Sequence, residues 1–311
     1  MIRHLQWLVV LLWGATGWFA FQSSVVGQDL LVANNTTGFN SSIFRFSTGG
    51  ELQRNFAPWE LTGGVAGLAA NAAGELFVAN HRESTIYRFS IYGENLGVFA
   101  ATGLNAPTGI ACDSRGRLVV CNFGDGSLSI FSPSGELLAR ITTGLINPIA
   151  LTLDSADNIY VSAPNLGPQA GVYRFAAEDW QRTLFATGND FDPRGLALDH
   201  AGNLYVADQQ GNAVRRFDAA GNFLDTFASV GLSDPFALAF NPDGELFVAN
   251  QFGGTIRRYS AIGDALGEFV VTSAPANLVS LLFVPVPEPA ASSFALVAGL
   301  IGLLFRRRQS D

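Results

Sequence analysis

One five-residue phrase is written six times along this chain. It reads LLVAN at Leu30–Asn34, LFVAN at Leu76–Asn80, LVVCN at Leu118–Asn122, IYVSA at Ile159–Ala163, LYVAD at Leu204–Asp208 and LFVAN at Leu246–Asn250. Successive copies start 46, 42, 41, 45 and 42 residues apart. That period fits a unit of four short strands better than a helical or leucine-rich unit. The phrase itself is an unbroken apolar run too short for a helix, which suits a strand covered on both faces by neighbouring units. Units of this kind stack into a closed ring, so the chain is predicted to build a β-propeller.

The flanks of the phrase supply the other strands. A first strand is read at Gly109 to Asp113 and matched by Ile149 to Asp154, Gly195 to Asp199 and Ala237 to Asn241. Small, polar or glycine residues follow it, as in Ser114-Arg115-Gly116 and His200-Ala201-Gly202, where the backbone must reverse. The third strand alternates, for example Ile86-Tyr87-Arg88-Phe89, and the fourth ends at Phe56, Phe99, Phe185, Phe227 or Phe269. Pro107, Pro148, Pro193 and Pro235 then open the next blade. The first copy has no strand before it, whereas Asn277 to Phe283 is apolar and has no phrase after it. It is predicted to complete blade one, closing the ring with both ends of the domain and removing open sheet edges. The expected fold is therefore all-β: a six-bladed propeller of four-stranded antiparallel blades over residues 28–285, followed by a C-terminal hydrophobic helix. A content of 48% apolar residues, with 34 Gly and 25 Phe, agrees with a large core of short strands and tight turns.

Both ends read as addresses. Residues 1–27 combine Arg3, the apolar run from Leu5 to Phe21 and small residues before Gln28, the order of a secretory signal peptide. Residues 286–311 carry Pro287-Glu288-Pro289, a charge-free run to Phe305 and then Arg306-Arg307-Arg308. The run from Ala290 to Phe305 is short of the ~20 residues of a stable spanning helix, and the arginines hold their side in the cytoplasm, so a transient inner-membrane anchor is expected. These three parts, in this order, resemble the PEP-CTERM sorting signal of Gram-negative bacteria that make exopolysaccharide. The resemblance implies an exosortase-type processing protease as partner, cutting near the Pro-Glu-Pro. Delivery to the cell envelope or the extracellular matrix would follow.

Counting residue types prunes the chemistry. There is no lysine, all 18 basic residues being arginine, so Schiff-base catalysis and a phosphate-binding P-loop are excluded. Setting aside Arg3, Arg306, Arg307, Arg308 and Asp311 leaves 14 arginines against 25 acids, a net charge near −11 that lacks the basic footprint of nucleic-acid binding. Cys112 and Cys121 lie on the two strands of one hairpin. Their side chains point to opposite faces, or lie diagonally ~7–8 Å apart on one, so two unpaired, packed thiols are expected. Of three histidines, His4 leaves with the signal peptide, His200 sits in a turn, and His81 ends a second strand.

The blade pattern, P-x-G-(I/L)-A-x-D…G-x-L-(F/Y)-V-A-(N/D)…I-x-R-F, resembles the NHL-repeat and gluconolactonase-like (SMP-30-like) propellers over most of residues 29–285. Gluconolactonase-like enzymes hold a divalent cation with Glu, Asn and Asp side chains at the central channel. The resemblance therefore makes Asn34, Asn80, Asn122, Asp208, Asn250 and His81 metal candidates, for Ca²⁺ or Mg²⁺. The five Asn and Asp positions recur from blade to blade, which is explained more simply by turn capping through side-chain to backbone hydrogen bonds. No catalytic residue or cofactor site follows from the residues themselves. Streptogramin-lyase-like enzymes share the fold, but their His and Glu pattern maps only onto His81.

Unrepeated features are the better ligand candidates. From Asn34 to Arg45 and from Ala163 to Arg174 are 11 steps, against 8 in the other blades. The longer loops belong to blades one and four, opposite each other in a six-fold ring, and bring forward Asn35, Phe39, Asn40, Asn165 and Gln169. On the same rim lie Asn105, Asn147, Asp192 and Asp234, beside the blade-opening prolines, where Asn/Asp-Pro turn initiation is the alternative. Arg45, Arg88, Arg174, Arg216 and Arg258 recur at one third-strand position and are expected to pair with acids between blades. The reading that follows is an exported, monomeric, non-enzymatic propeller binding a glycan or protein partner in the envelope or exopolysaccharide matrix. Its rivals are a metal-dependent lactonase or lyase, and a matrix protein without a defined ligand.

Overall fold

The computed structural model describes residues 28–35, 41–56, 61, 64–164, 169–188, 190–271 and 276–286. They form six antiparallel four-stranded sheets. In blade two, Val65–Ala70, Glu75–Asn80, Thr85–Ser90 and Asn95–Ala100 run from the axis outwards. The inner strands of blades three to six are Pro107–Cys112, Leu151–Leu153, Pro193–Leu198 and Pro235–Phe240. No helix occurs among the described residues. The expected C-terminal hydrophobic helix and the signal peptide lie outside them.

Blade one is closed as expected. Leu278–Pro285 is its inner strand, pairing antiparallel with Gln28–Asn34 from Gln28 opposite Pro285 to Val32 opposite Leu281. The strand starts one residue later than Asn277 and runs two residues past Phe283. Asn35 N donates to Asn277 O at 2.8 Å, and Leu278 N donates to Gln251 O of blade six at 2.9 Å, so the seam is tied on both sides.

The core lies between blades. The phrase strands are buried along nearly their whole length, and each of six apolar clusters draws its residues from two adjacent blades. Leu31, Ala33 and Ile43 of blade one, for instance, meet Leu68, Leu76, Val78 and Phe89 of blade two. Each fully buried Leu, Val or Phe in such a layer contributes roughly 1.5–3 kcal/mol. Aromatic pairs lock the layers: the Tyr205 ring lies 4.8 Å from Phe227 of its own blade and 4.9 Å from Phe240 of the next. The "F" that ends the outer strand is thus an inter-blade packing residue.

The recurring arginines require a correction. Arg45 pairs with Asp29, Arg88 with Glu75 and Arg216 with Asp225, each across one strand spacing of its own blade rather than between blades. Adjacent strands are about 4.8 Å apart and stacked sheets about 10 Å, so the acid within reach is the cross-strand one. The cysteines are unpaired, with Cys112 opposite Leu118, which puts Cys121 on the other face.

Candidate functional site

The inner strands of blades three to six run from their prolines on one rim to an Asp or Asn on the other, and those of blades one and two run the same way, so the residues around the axis form rings. One ring is Leu68, Ile110, Leu151, Leu196, Leu238 and Leu281, all buried. This aliphatic girdle divides the channel. A well of about 340 Å³ lies on the side of the phrase ends, and a wider cavity of about 820 Å³ on the other. Leu151, Leu196, Leu238 and Leu281 border both. Gly67, Gly109 and Gly195, one residue above the girdle, let neighbouring inner strands close up. A Cβ on Gly109 would stand 2.7 Å from the Ala150 Cα, so the well's wall has no room for a side chain there.

Above the glycines the ring reads Ala66, Thr108, Ile149, Arg194, Phe236 and Val279, and Asn35, His81, Phe123, Gln251 and Asn277 complete the mouth. Arg194 Nη2 is 2.8 Å from Asp192 Oδ2, and its guanidinium lies 5.9 Å from the Phe236 ring centroid. Gln209 Nε2 donates to Gln251 Oε1 at 2.9 Å. His81 stands edge-on to Phe123 at 5.5 Å. Burial lowers its pKa, the carbonyls of Pro107 and Ala106 pull it up, and Arg82 adds to the lowering, so it is neutral at pH 7.

Three buried polar atoms at or just behind this mouth have no hydrogen-bond partner among the described residues: Arg194 Nε and Asn277 Oδ1 on residues that line it, and Asp192 Oδ1 behind Arg194. Buried polar groups are rarely left so, and a cluster of them marks a place where a polar ligand or water completes the set. The opposite mouth differs. There the residue closing the first strand is consumed by its own turn: Asp199 accepts from Ala201 N, Asn203 N and Asn203 Nδ2 at 2.9, 2.9 and 2.8 Å. Asp113, Asp154 and Asn241 make equivalent bonds, and His200 lines that wider cavity beside Asp199. The smaller well is therefore the candidate site.

The metal candidates are placed as follows. Asn80, Asn122, Asp208 and Asn250 are buried and bonded within the fold. Asn80 Oδ1 accepts from Glu83 N, Asn122 Oδ1 from Asn105 N, Asp208 Oδ1 from Asp192 N and Gly211 N, and Asn250 Oδ1 from Ser233 N. Asn34 Oδ1 accepts from Asn277 N at 2.9 Å, and Asp208 is also paired with Arg215 at 2.5 Å. Of the six candidates only His81 lines the well. No carboxylate does so among the described residues, and nowhere among them do three His, Cys, Asp or Glu side chains gather. A Ca²⁺ or Mg²⁺ site needs several converging oxygens, carboxylates foremost. The amides, imidazole and guanidinium at this mouth do not fit one.

Of the ligand-rim candidates, Asn35 lines the well and Asp192 holds Arg194 from behind. Asn147 and Asp234 take left-handed φ of 50° and 52° before their prolines, and Asp234 O accepts from Gln251 N at 2.9 Å. Asn105 is exposed beside Asp125, and the Gln169 carbonyl accepts from Tyr173 Oη at 3.0 Å. Phe39, Asn40 and Asn165 lie outside the described residues, as do Pro287, Glu288, Pro289, Arg306, Arg307 and Arg308. Arg194, Phe236, Gln251, Asn277, Phe123 and Thr108 were not singled out from the sequence. Their signal is variation at a repeated position, such as Thr108, Ile149, Arg194 and Phe236 directly after the four prolines.

A family model described as SMP-30/Gluconolactonase/LRE-like region matches residues 32–165. No curated protein matches the chain. Among solved structures, a chain of a nidogen/laminin complex is 19% identical, with 83% of this chain and 98% of that one covered at a TM-score of 0.69. A catalytically inactive virginiamycin B lyase from Staphylococcus aureus with quinupristin is 14% identical over 83% and 96%, at 0.62. A proposed gluconolactonase is 19% identical over 70% and 80%, at 0.58. At these identities the likeness is one of fold.

Proposed function

We propose that this protein is an exported binding propeller that takes a hydroxyl-rich ligand of the glycan class in the axial well. The observation that carries the reading is the set of orphaned atoms at the mouth. Arg194 Nε is a donor, while Asp192 Oδ1 and Asn277 Oδ1 are acceptors. A sugar hydroxyl both donates and accepts, so a polyol answers both kinds, directly or through a water. Phe123 and Phe236 add apolar faces to the same mouth. Export and tail-directed sorting are part of the proposal. Gln28 and Pro285 face each other on the rim away from the well, so a tether through residues 287–311 presents the well outward.

The rival reading is an enzyme of the lactonase or lyase type, which the family match and His81, a base neutral at pH 7 in the well, both favour. A panel of immobilised polysaccharides separates the two. The binding reading expects retention on at least one polymer, lost on Asn277→Ala or Gln251→Ala with the melting temperature held. Failure to bind any polymer, or turnover of a lactone that disappears on His81→Gln, would overturn it.

A further inference from the structure

We infer that the well receives the terminus of a ligand chain end-on, and cannot seat the middle of a polymer. The inference rests on the glycan-binding reading above and concerns how the ligand enters. The floor is the girdle of Leu68, Ile110, Leu151, Leu196, Leu238 and Leu281, a collar of buried aliphatic side chains that narrows the axis between the well and the cavity beyond. The wall is tight at three of its six junctions. Gly109 lies against Ala150, and Gly67 and Gly195 lie against the backbones of Thr108 and Phe236 in the next blades, which leaves no lateral slot between those inner strands.

A polymer lying across the rim would therefore meet only the outermost mouth residues. Arg194 and Phe236 stand lower, next to the glycine ring, on inner strands, with Asn277 above them at the mouth. Arg194 is held there by Asp192, and its side chain is 21% exposed, so only a group entering along the axis meets it. An apolar floor beneath a polar collar suits a ring whose hydroxyls point sideways and whose C–H face points down.

The test is inhibition by size ladders of linear polymers: pullulan, linear mannan and polygalacturonate. Each is cut to a series of lengths and competes, at equal mass, for the wild-type protein against its shortest fragment fixed on a surface. End-on entry counts chain ends, so a tenfold shorter fragment should inhibit about tenfold better per unit mass. Ala66→Phe, which fills the well, should abolish retention, while Leu96→Ala on the outer strand should not. Equal potency per mass along a ladder overturns the end-on inference and leaves glycan binding standing. Absence of binding to all three polymers overturns both.

Discussion

Five arginines share one position of the repeat, and the structure assigns them unequal work. Arg45 Nε lies 2.7 Å from Asp29 Oδ2, with side-chain exposures of 4% and 11%, and its Nη1 and Nη2 donate to Ile91 O at 2.8 Å and Pro285 O at 3.3 Å. It joins both strands of the ring seam and the next blade. Arg88 and Glu75 are 3.4 Å apart and 35% and 27% exposed. Arg45→Met strands the Asp29 carboxylate in the interior and should cost about 3–5 kcal/mol, whereas Arg88→Met should cost about 0–1 kcal/mol. The double change Asp29→Leu with Arg45→Met removes the stranded charge. It leaves the Ile91 and Pro285 carbonyls without a donor, at about 0.5–1.5 kcal/mol each, and so should be milder than Arg45→Met alone. Equilibrium urea unfolding, read at constant m-value, measures all three. A double change as costly as Arg45→Met alone, or Arg45→Met and Arg88→Met within about 1 kcal/mol of each other, would refute the reasoning.

Deleting residues 277–283 strips blade one of its inner strand and should leave an unfolded or aggregated chain by circular dichroism, whereas deleting 290–311 should not; equal melting of both would sink the closure argument. His81 is held below the ordinary histidine value by burial, so the unfolded chain takes up the proton first as pH falls. Its stability contribution is full above about pH 6.5 and is lost as pH drops through the lower folded value. The difference in melting temperature between wild type and His81→Gln should follow that window, and a difference independent of pH from 8 to 4 contradicts it. Burial pushes the Cys112 thiol up to about 12, with Asp113 and Glu75 adding to the rise, and pushes Cys121 up as well. Both should resist a disulfide reagent at pH 8 until urea is added, and rapid labelling of the native protein counts against this. Glu288→Ala should hold an unprocessed form in the membrane of a host with the sorting protease; unchanged release on a fractionation blot argues otherwise.

The architecture was legible because its determinants repeat. Six copies of the phrase, the prolines and the outer-strand phenylalanines each recur where the same packing problem recurs. Even the seam could be read, from a strand short at one end and one in excess at the other. The arginines show the limit: period alone placed them in register and could not tell that the nearest acid sits across one strand spacing, nor that only Arg45 bridges the seam.

The site was hidden for the converse reason. Inner strands that all run the same way give a propeller two chemically unlike mouths. On one side blades two to six turn back on themselves within a few residues, and the Asp or Asn of that turn is bonded by its own backbone in blade after blade, as Asp113, Asp154 and Asp199 are. On the other side the phrase ends meet the linkers between blades, and a side chain there is satisfied only by what a different blade brings to it. Asn122 finds the Asn105 amide and Asn34 the Asn277 amide, while Asn277 Oδ1 and Arg194 Nε find no partner among the described residues. Such shortfalls depend on which blades are adjacent and how deep each ring lies. They leave in the sequence only the uneven column Ala66, Thr108, Ile149, Arg194, Phe236 and Val279. In a repeat protein that unevenness is where specificity for a ligand can be written, since the even positions are already committed to holding the ring together.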